Sequence, residues 1–294
     1  MKYLYFPGCS LKSTGKPYEE SLLAVFSTLG IPLEELKDWN CCGATAYMAI
    51  NEVKAFALSA RNLALAEKQG GNNAVPHLVT PCSACYCLSL KTQNYLQQFP
   101  EIKRVVDTGL QAANLRYDGR LVVRHPLDVL VNDVGLDKVS SAVKRPLKGL
   151  KVACYYGCQI VRPFATFDSQ WNPTTMDRLV EALGATPVDW PLKTKCCGGA
   201  LTGTIREVGL RLGQLLLKEA RKRGADMLIT TCPLCQFDLE CFQADMKGAF
   251  GEDVKMPVAY FTQLVGLSFG ISEKQLGIER LFVSPELSKI SVGG

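Results

Sequence analysis

The sequence is nearly without histidine, holding only His77 and His125 in 294 residues, so imidazole acid–base chemistry and His-rich metal shells are thinly supplied. Long apolar runs are also missing. No window of about 18 uninterrupted apolar residues occurs, and the sequence predicts no membrane-crossing helix. Charge is not blocked: 33 basic and 28 acidic residues are scattered to a net +5, without a basic cluster or an aromatic-spaced RNA-reading motif. That distribution argues against nucleic-acid binding and is compatible with an anionic small molecule or an acidic partner. No Gly-x-Gly-x-x-Gly follows the first strand of either half, so neither flavin nor nicotinamide binding is indicated. Residues 1–6 run into Pro7-Gly8-Cys9 with no charged n-region, apolar core or cleavage site. They are predicted to form a strand rather than a leader, in a chain of the reducing cytoplasm.

What the chain does have is cysteine, thirteen in all, and ten of them spell one pattern twice. Cys9, the pair Cys41-Cys42 and Cys82-x-x-Cys85 recur as Cys158, Cys196-Cys197 and Cys232-x-x-Cys235. A disulfide framework belongs to short secreted chains, and clustered cysteines in a reducing compartment are metal ligands more often than bridges. Five thiolates are one more than a tetrahedral zinc or a cubane iron–sulfur cluster uses.

The duplication extends beyond the cysteines. In each half an apolar segment (residues 3–6, 152–156) ends at a Gly-Cys, and a helix then stops at Gly30 or Gly184. The Cys-Cys-Gly follows, then a long helix (51–68, 205–223) and a short strand (75–79, 227–230) entering the Cys-x-x-Cys. A further strand and helix close each unit: 121–124 with 129–134, and 258–260 with 264–267. Alternating strands and helices predict an α/β fold of two pseudo-symmetric repeats, each a mostly parallel sheet with flanking helices. The boundary is expected where Pro146 and Gly149 interrupt the periodicity, giving domains 1–146 and 147–294, with residues 281–294 as a tail.

Each Cys-x-x-Cys closes a strand and opens a helix, which puts both thiols on one face of a first turn whose free N–H groups favour negative charge. Adjacent cysteines converge on one centre only if the backbone turns sharply, and Gly43 or Gly198 allows that turn. Thiolate-only donors select zinc or iron–sulfur chemistry. On the residues alone, one zinc or one cubane cluster per half with a spare cysteine, a redox dithiol, and an unusual cluster held by all five stay open. Cys154 is the rival to Cys158, but it lies inside the strand, while Cys158 follows Gly157 as Cys9 follows Gly8. Cys87 and Cys241 read as small buried residues of helices. His125, aligned with Phe261, and His77 read as structural. Lys12 and Arg162, just beyond Cys9 and Cys158, stand where an anionic substrate near the clusters could be held.

The doubled Gly-Cys, Cys-Cys-Gly and Cys-x-x-Cys resembles the CCG domains in the B-type subunit of heterodisulfide reductase over essentially the whole chain. Related domains occur in iron–sulfur subunits of glycolate, lactate and glycerol-3-phosphate oxidising systems and in thiol:fumarate reductase. The resemblance implies two noncubane [4Fe-4S] clusters facing one another. Cys9, Cys41, Cys42, Cys82 and Cys85 would hold one; Cys158, Cys196, Cys197, Cys232 and Cys235 the other. It implies a disulfide split or formed between the clusters by one-electron steps, no catalytic residue beyond the cluster irons, and a complex with a ferredoxin-like subunit and a flavoprotein subunit. Methanogen members carry Cys-Cys-Pro in the first motif, whereas Cys41-Cys42-Gly43 is more similar to bacterial homologues. An electron-transfer subunit of a 2-hydroxy-acid or glycerol-3-phosphate dehydrogenase complex, and a zinc-bearing scaffold, are the alternatives. The alignment of the two halves has a direct test. Cys197→Ala should strip the iron of the second site, and Cys154→Ala should leave iron per chain near wild type, as read by metal analysis.

Overall fold

In the first half, four short strands form a parallel sheet in the order β2-β1-β3-β4: β1 (Tyr3–Tyr5), β2 (Leu33–Glu35), β3 (His77–Val79) and β4 (Val122–Arg124). The second half repeats this as β6-β5-β7-β8, with β5 (Lys151–Tyr155), β6 (Thr186–Pro187), β7 (Met227–Thr230) and β8 (Val258–Tyr260), again all parallel. The structure is a computed structural model that describes residues 3–44, 46–71 and 74–285. β1 and β7 are buried along their whole length, as strands flanked by neighbours and covered by helices must be.

The helices of the first half are α1 (Gly8–Leu11), α2 (Lys16–Thr28), α3 (Ala46–Ile50), α4 (Glu52–Gly70), α5 (Ser83–Gln98), α6 (Pro100–Ala112), α7 (Pro126–Asp128) and α8 (Leu136–Ser141). Those of the second are α9 (Thr175–Ala182), α10 (Gly199–Thr202), α11 (Arg206–Lys222), α12 (Pro233–Cys241), α13 (Gln243–Phe250) and α14 (Phe261–Ser268). Local chemistry sets several starts. The Asn51 side chain caps α4 by accepting from Lys54 N at 3.0 Å. Pro17, Pro100, Pro126 and Pro233 sit in first turns, where a missing N–H costs nothing. The Asp168 carboxylate, well before α9 in sequence, accepts from Thr174 N and from Thr175 N at 2.8 Å, so the helix begins at Thr175 rather than at Asn172-Pro173.

The two-repeat reading of the sequence agrees with these elements, and the differences are instructive. β2 and β6 are short edge strands that carry no apolar alternation. α6 and α13 follow the Cys-x-x-Cys helices after single-residue breaks at Phe99 and Phe242 and were not anticipated. The segment expected as a helix over 129–134 is a π-helical turn, Val129–Gly135, following α7. Cys87 and Cys241 lie on the helices expected, α5 and α12, but are half-buried rather than buried. Of the tail, residues 281–285 are described, and Val283 N donates to Glu240; the remainder of the 281–294 expectation lies outside the described residues.

The halves share one apolar core. A single cluster runs from Tyr3 and Leu22 of the first half to Val180, Ile229 and Leu264 of the second, with a smaller core around Trp190, Leu217 and Val258. α2 packs on α14, where Ser21 and Thr262 hydroxyls meet at 2.7 Å and the Tyr18 and Tyr260 rings stack at 4.4 Å. Ser83 and Thr231, from the two Cys-x-x-Cys approaches, share a hydrogen bond of 3.1 Å. On the other side α8 meets α9 through Ser140 Oγ and Ala182 O.

Both histidines are structural. His77 sits in β3, edge-on to Tyr3. His125, fully buried, accepts from Leu127 N through Nδ1 and bonds the Pro81 carbonyl through Nε2. Burial pulls its pKa down to about 4, against about 6.5 in an unfolded chain. Below about 6.5 the unfolded chain takes up a proton that the folded chain refuses until about 4, so folding stability falls as pH drops through that window. Denaturant midpoints should be lower at pH 5 than at pH 7, and His125→Asn should shrink the difference.

Candidate iron–sulfur site

In a parallel sheet every strand points the same way, so the loops leaving β1, β2 and β3 emerge along one edge. Ligands of open α/β sheets bind at that carboxyl edge, where the strand order switches direction. Here the switch lies at β1, which has β2 on one side and β3 on the other. Cys9 follows β1, Cys41-Cys42 follow β2, and Cys82 follows β3, so one edge collects sulfurs from segments up to 76 residues apart (85 minus 9). The second sheet does the same with Cys158 after β5, Cys196-Cys197 after β6, and Cys232 and Cys235 after β7.

The ten sulfurs form one unbroken line. Cys9 meets Cys41 at 3.7 Å, Cys41 hydrogen-bonds Cys42, Cys42 meets Cys85 at 3.1 Å, and Cys85 bonds Cys82. Cys82 then bonds Cys232 of the other half. From there the order is mirrored: Cys232 to Cys235, Cys235 to Cys197 at 3.4 Å, Cys197 to Cys196, and Cys196 to Cys158. All ten sequence-predicted ligands are in the line, and Cys154, buried in β5, is not. The ends are open and the middle is closed: Cys9, Cys41 and Cys196 are exposed and Cys158 half-buried, whereas Cys42, Cys82, Cys85, Cys197, Cys232 and Cys235 are buried.

Backbone geometry lets the sulfurs approach. Gly8 and Gly157 have φ of +69° and +73°, and a Cβ at either would stand 3.0 Å from Cys85 Sγ or 3.4 Å from Cys235 Sγ. The chain after each Cys-Cys turns so that the next two N–H groups face the sulfurs. Gly198 N and Gly199 N reach Cys196 and Cys197 at 3.4 and 3.3 Å, and Gly43 N and Ala44 N serve Cys41 and Cys42 in the same way. Amides aimed at sulfur stabilise thiolate over thiol.

Crowding makes these thiols share protons. Accepting from Cys158 and Cys197 lowers Cys196 to about 2; Cys41 and Cys85 do the same for Cys42, and Cys235 and Cys82 for Cys232. Donating raises their partners: Cys85 toward Cys42, Cys235 toward Cys197 and Cys82 toward Cys232. A metal centre replaces these protons, since thiolate is the ligand.

The residues present fit such a centre. Two sulfurs on one tetrahedral metal at about 2.3 Å stand about 3.8 Å apart, close to the Cys9–Cys41 separation. Among the described residues no group of three or more His, Cys, Asp or Glu is arranged to hold a single ion; the sulfurs adjoin in sequence, as the lining of a larger group does. Orphaned polar atoms collect here too. Of the buried side-chain oxygens without a hydrogen-bond partner among the described residues, Thr80 and Thr230 precede Cys82 and Cys232 by two residues, and Asp238 follows Cys235 by three. The Asp238 carboxyl, raised to about 6 by burial, accepts from Thr202 at 2.5 Å and has Cys196 as an ionisable neighbour. Another orphan, the fully buried Tyr18 hydroxyl, has Cys82 and Cys232 among its neighbours. No motif marks Tyr18, Thr80, Thr230 or Asp238 in the sequence. The matched Thr80 and Thr230 could have been found by aligning the repeats one step further.

The two basic residues suggested by the sequence are already engaged. Lys12 Nζ bridges Glu19 at 2.6 Å and Glu35 at 2.9 Å. The Arg162 guanidinium donates to Thr194 O, and its carbonyl faces Cys87 Sγ at 3.6 Å.

A family model described as "Cysteine-rich domain" (CCG) matches the chain twice, at residues 3–88 and 152–240. A protein of Wolinella succinogenes named 8-methylmenaquinol:fumarate reductase membrane anchor subunit is 34% identical over 94% of this chain and 95% of its own length. A heterodisulfide reductase B-subunit-like protein of Archaeoglobus profundus is 32% identical, covering 95% and 94%. The B-type subunit of a ferredoxin/F420H2-dependent CoB-CoM heterodisulfide reductase from Methanosarcina acetivorans is 30% identical, covering 95% and 93%. Among solved structures, a hypothetical protein of Helicobacter pylori superposes with a TM-score of 0.76 at 16% identity over 96% of this chain and 52% of its own, which shows a shared fold.

The glycine after the second Cys-Cys gives a test of this geometry. Gly198 has φ of +91°, and a Cβ there would lie 2.6 Å from the Gly209 carbonyl oxygen of α11. Gly198→Ala should cost more than about 2 kcal/mol and lower iron retention at the second site, measured by denaturant titration and metal analysis.

Proposed function

This chain belongs to the cysteine-rich CCG family that includes the B-type subunits of heterodisulfide reductase, which makes it an iron–sulfur oxidoreductase component, and we propose that it makes or breaks a disulfide or related sulfur bond. Each half would hold one noncubane [4Fe-4S] cluster with its five cysteines, residues 1–146 forming the first domain and 147–294 the second. The observation that carries this reading is the continuous line of ten sulfurs, symmetric about Cys82 and Cys232 and open only at its outer members.

When bound, such a centre supplies one-electron chemistry and an iron able to take a substrate sulfur. The chain does the rest. Six buried cysteines exclude water from the middle of the line, and the exposed Cys9, Cys41 and Cys196 leave the outer ends accessible. Two sites in one rigid core allow a disulfide to take one electron at each, with RSSR′ + 2e⁻ + 2H⁺ giving two thiols. Amides at Gly43, Ala44, Gly198 and Gly199 offset the negative charge of thiolates and sulfides. Lys12 and Arg162 would flank an anionic substrate, which must compete with Glu19 and Glu35 for Lys12. Electrons would come from a ferredoxin-like subunit and a flavoprotein subunit of a cytoplasmic complex. None of the helices among the described residues is long and apolar enough to cross a membrane.

A second reading has its own support. The Wolinella relative, at 34% identity, is named for a fumarate reductase, and an Escherichia coli relative, named as a subunit of anaerobic glycerol-3-phosphate dehydrogenase, is 22% identical over 80% of this chain and 54% of its own length. On that reading the chain relays electrons and takes no sulfur substrate. Protein purified without air should hold about eight iron and eight acid-labile sulfide per chain, and added thiol should change its paramagnetic spectrum. Zinc without sulfide overturns the cluster assignment; full clusters indifferent to thiol leave the relay.

A further inference from the structure

The midpoint of the sulfur line poses a charge problem that the rest of it does not. Cys82 and Cys232 share a hydrogen bond, which needs a proton on one of them. Metal-bound thiolates have none. Loaded with their centres, the two sulfurs become a pair of buried acceptors, one from each half, pressed together with like charge. A donor is required there, and water does not reach it, because both cysteines are buried.

Tyr18 is placed to be that donor. Its side chain is fully buried and its hydroxyl is without a hydrogen-bond partner. Cys82 and Cys232 are among the ionisable groups nearest to it. Tyr260 holds the Tyr18 ring from the other half, stacked at 4.4 Å and 9°. The Tyr260 hydroxyl is committed to Gln236 Oε1 at 3.2 Å and does not compete for the sulfurs. Thr231 and Ser83 hydroxyls, also at the joint, are bonded to each other. An unpartnered buried hydroxyl costs about 1–3 kcal/mol, a cost that disappears when an acceptor arrives.

We propose that the Tyr18 hydroxyl donates a hydrogen bond to the paired Cys82 and Cys232 sulfurs of the loaded protein, making it a positioning and tuning residue shared by both iron–sulfur centres. The inference rests on the ten-cysteine assignment of the preceding subsection. A donor to a ligand sulfur favours the more negative, reduced state, so its removal lowers the reduction potential.

The test uses anaerobically purified, cluster-loaded protein carrying Tyr18→Phe, which keeps the stacked ring, beside Tyr260→Phe. Iron and sulfide are measured first, then midpoint potentials by redox titration followed by electron paramagnetic resonance. Tyr18→Phe should keep wild-type iron and sulfide while its reduction equilibrium shifts about tenfold toward the oxidised form, or about 59 mV for one electron. Tyr260→Phe should shift it clearly less. The inference is overturned if Tyr18→Phe titrates as wild type, if Tyr260→Phe shifts as far, or if Tyr18→Phe loses its iron, which would make the hydroxyl part of assembly instead. Absence of iron and sulfide from the wild type sinks the cluster assignment itself, an outcome separate from these.

Discussion

Parallel strand pairing is the constraint on which the rest depends. Because β1, β2 and β3 run the same way, with β1 in the middle, the three connections that carry cysteine must leave from a single edge. An antiparallel arrangement of the same strands would send one set of sulfurs to the opposite end of the sheet, and no five could meet. Strands only three residues long suffice because burial of β1 and β3 against helices holds them, and because the ladder continues in bonds such as Phe6 N to Val79 O and Leu36 N to Tyr5 O.

The second constraint is that the sites are built across a joint rather than beside it. Cys82 touches Cys232, Ser83 touches Thr231, and Tyr18 stacks on Tyr260, so the cross-half contacts lie next to the sulfurs. The halves are not identical in detail. The connection from Cys158 to α9 is longer than that from Cys9 to α2, and it reaches the first half through Thr166 with Tyr86 and through Phe167 with His125. The second site thus helps to hold the helix that begins at the first site's Cys-x-x-Cys.

Much of this was legible in the sequence, for identifiable reasons. Repeated spacing gave the ten ligands and separated Cys158 from Cys154, because a strand interior cannot present its sulfur at the sheet edge. Long amphipathic runs gave α4 and α11 to within two residues, and apolar triplets gave β7 and β8 at their observed bounds. Edge strands were hidden, since Leu33–Glu35 and Thr186–Pro187 are too short and too polar to show a period. α6 was hidden because Phe99-Pro100 reads as a stop, whereas the proline begins a new helix at once. Tyr18 could not be found at all from one chain. Its meaning lies in Cys82 and Cys232, which are distant in sequence and meet only across the two halves.

The common core has a consequence for persistence. Two separate single-repeat chains would part on dilution, at a point set by their dissociation constant. Here Leu22, Val180 and Leu264 belong to one apolar mass, and the partner of each half is tethered to it by the polypeptide itself. The encounter between the two sulfur quintets is therefore independent of how many copies of the protein a cell contains.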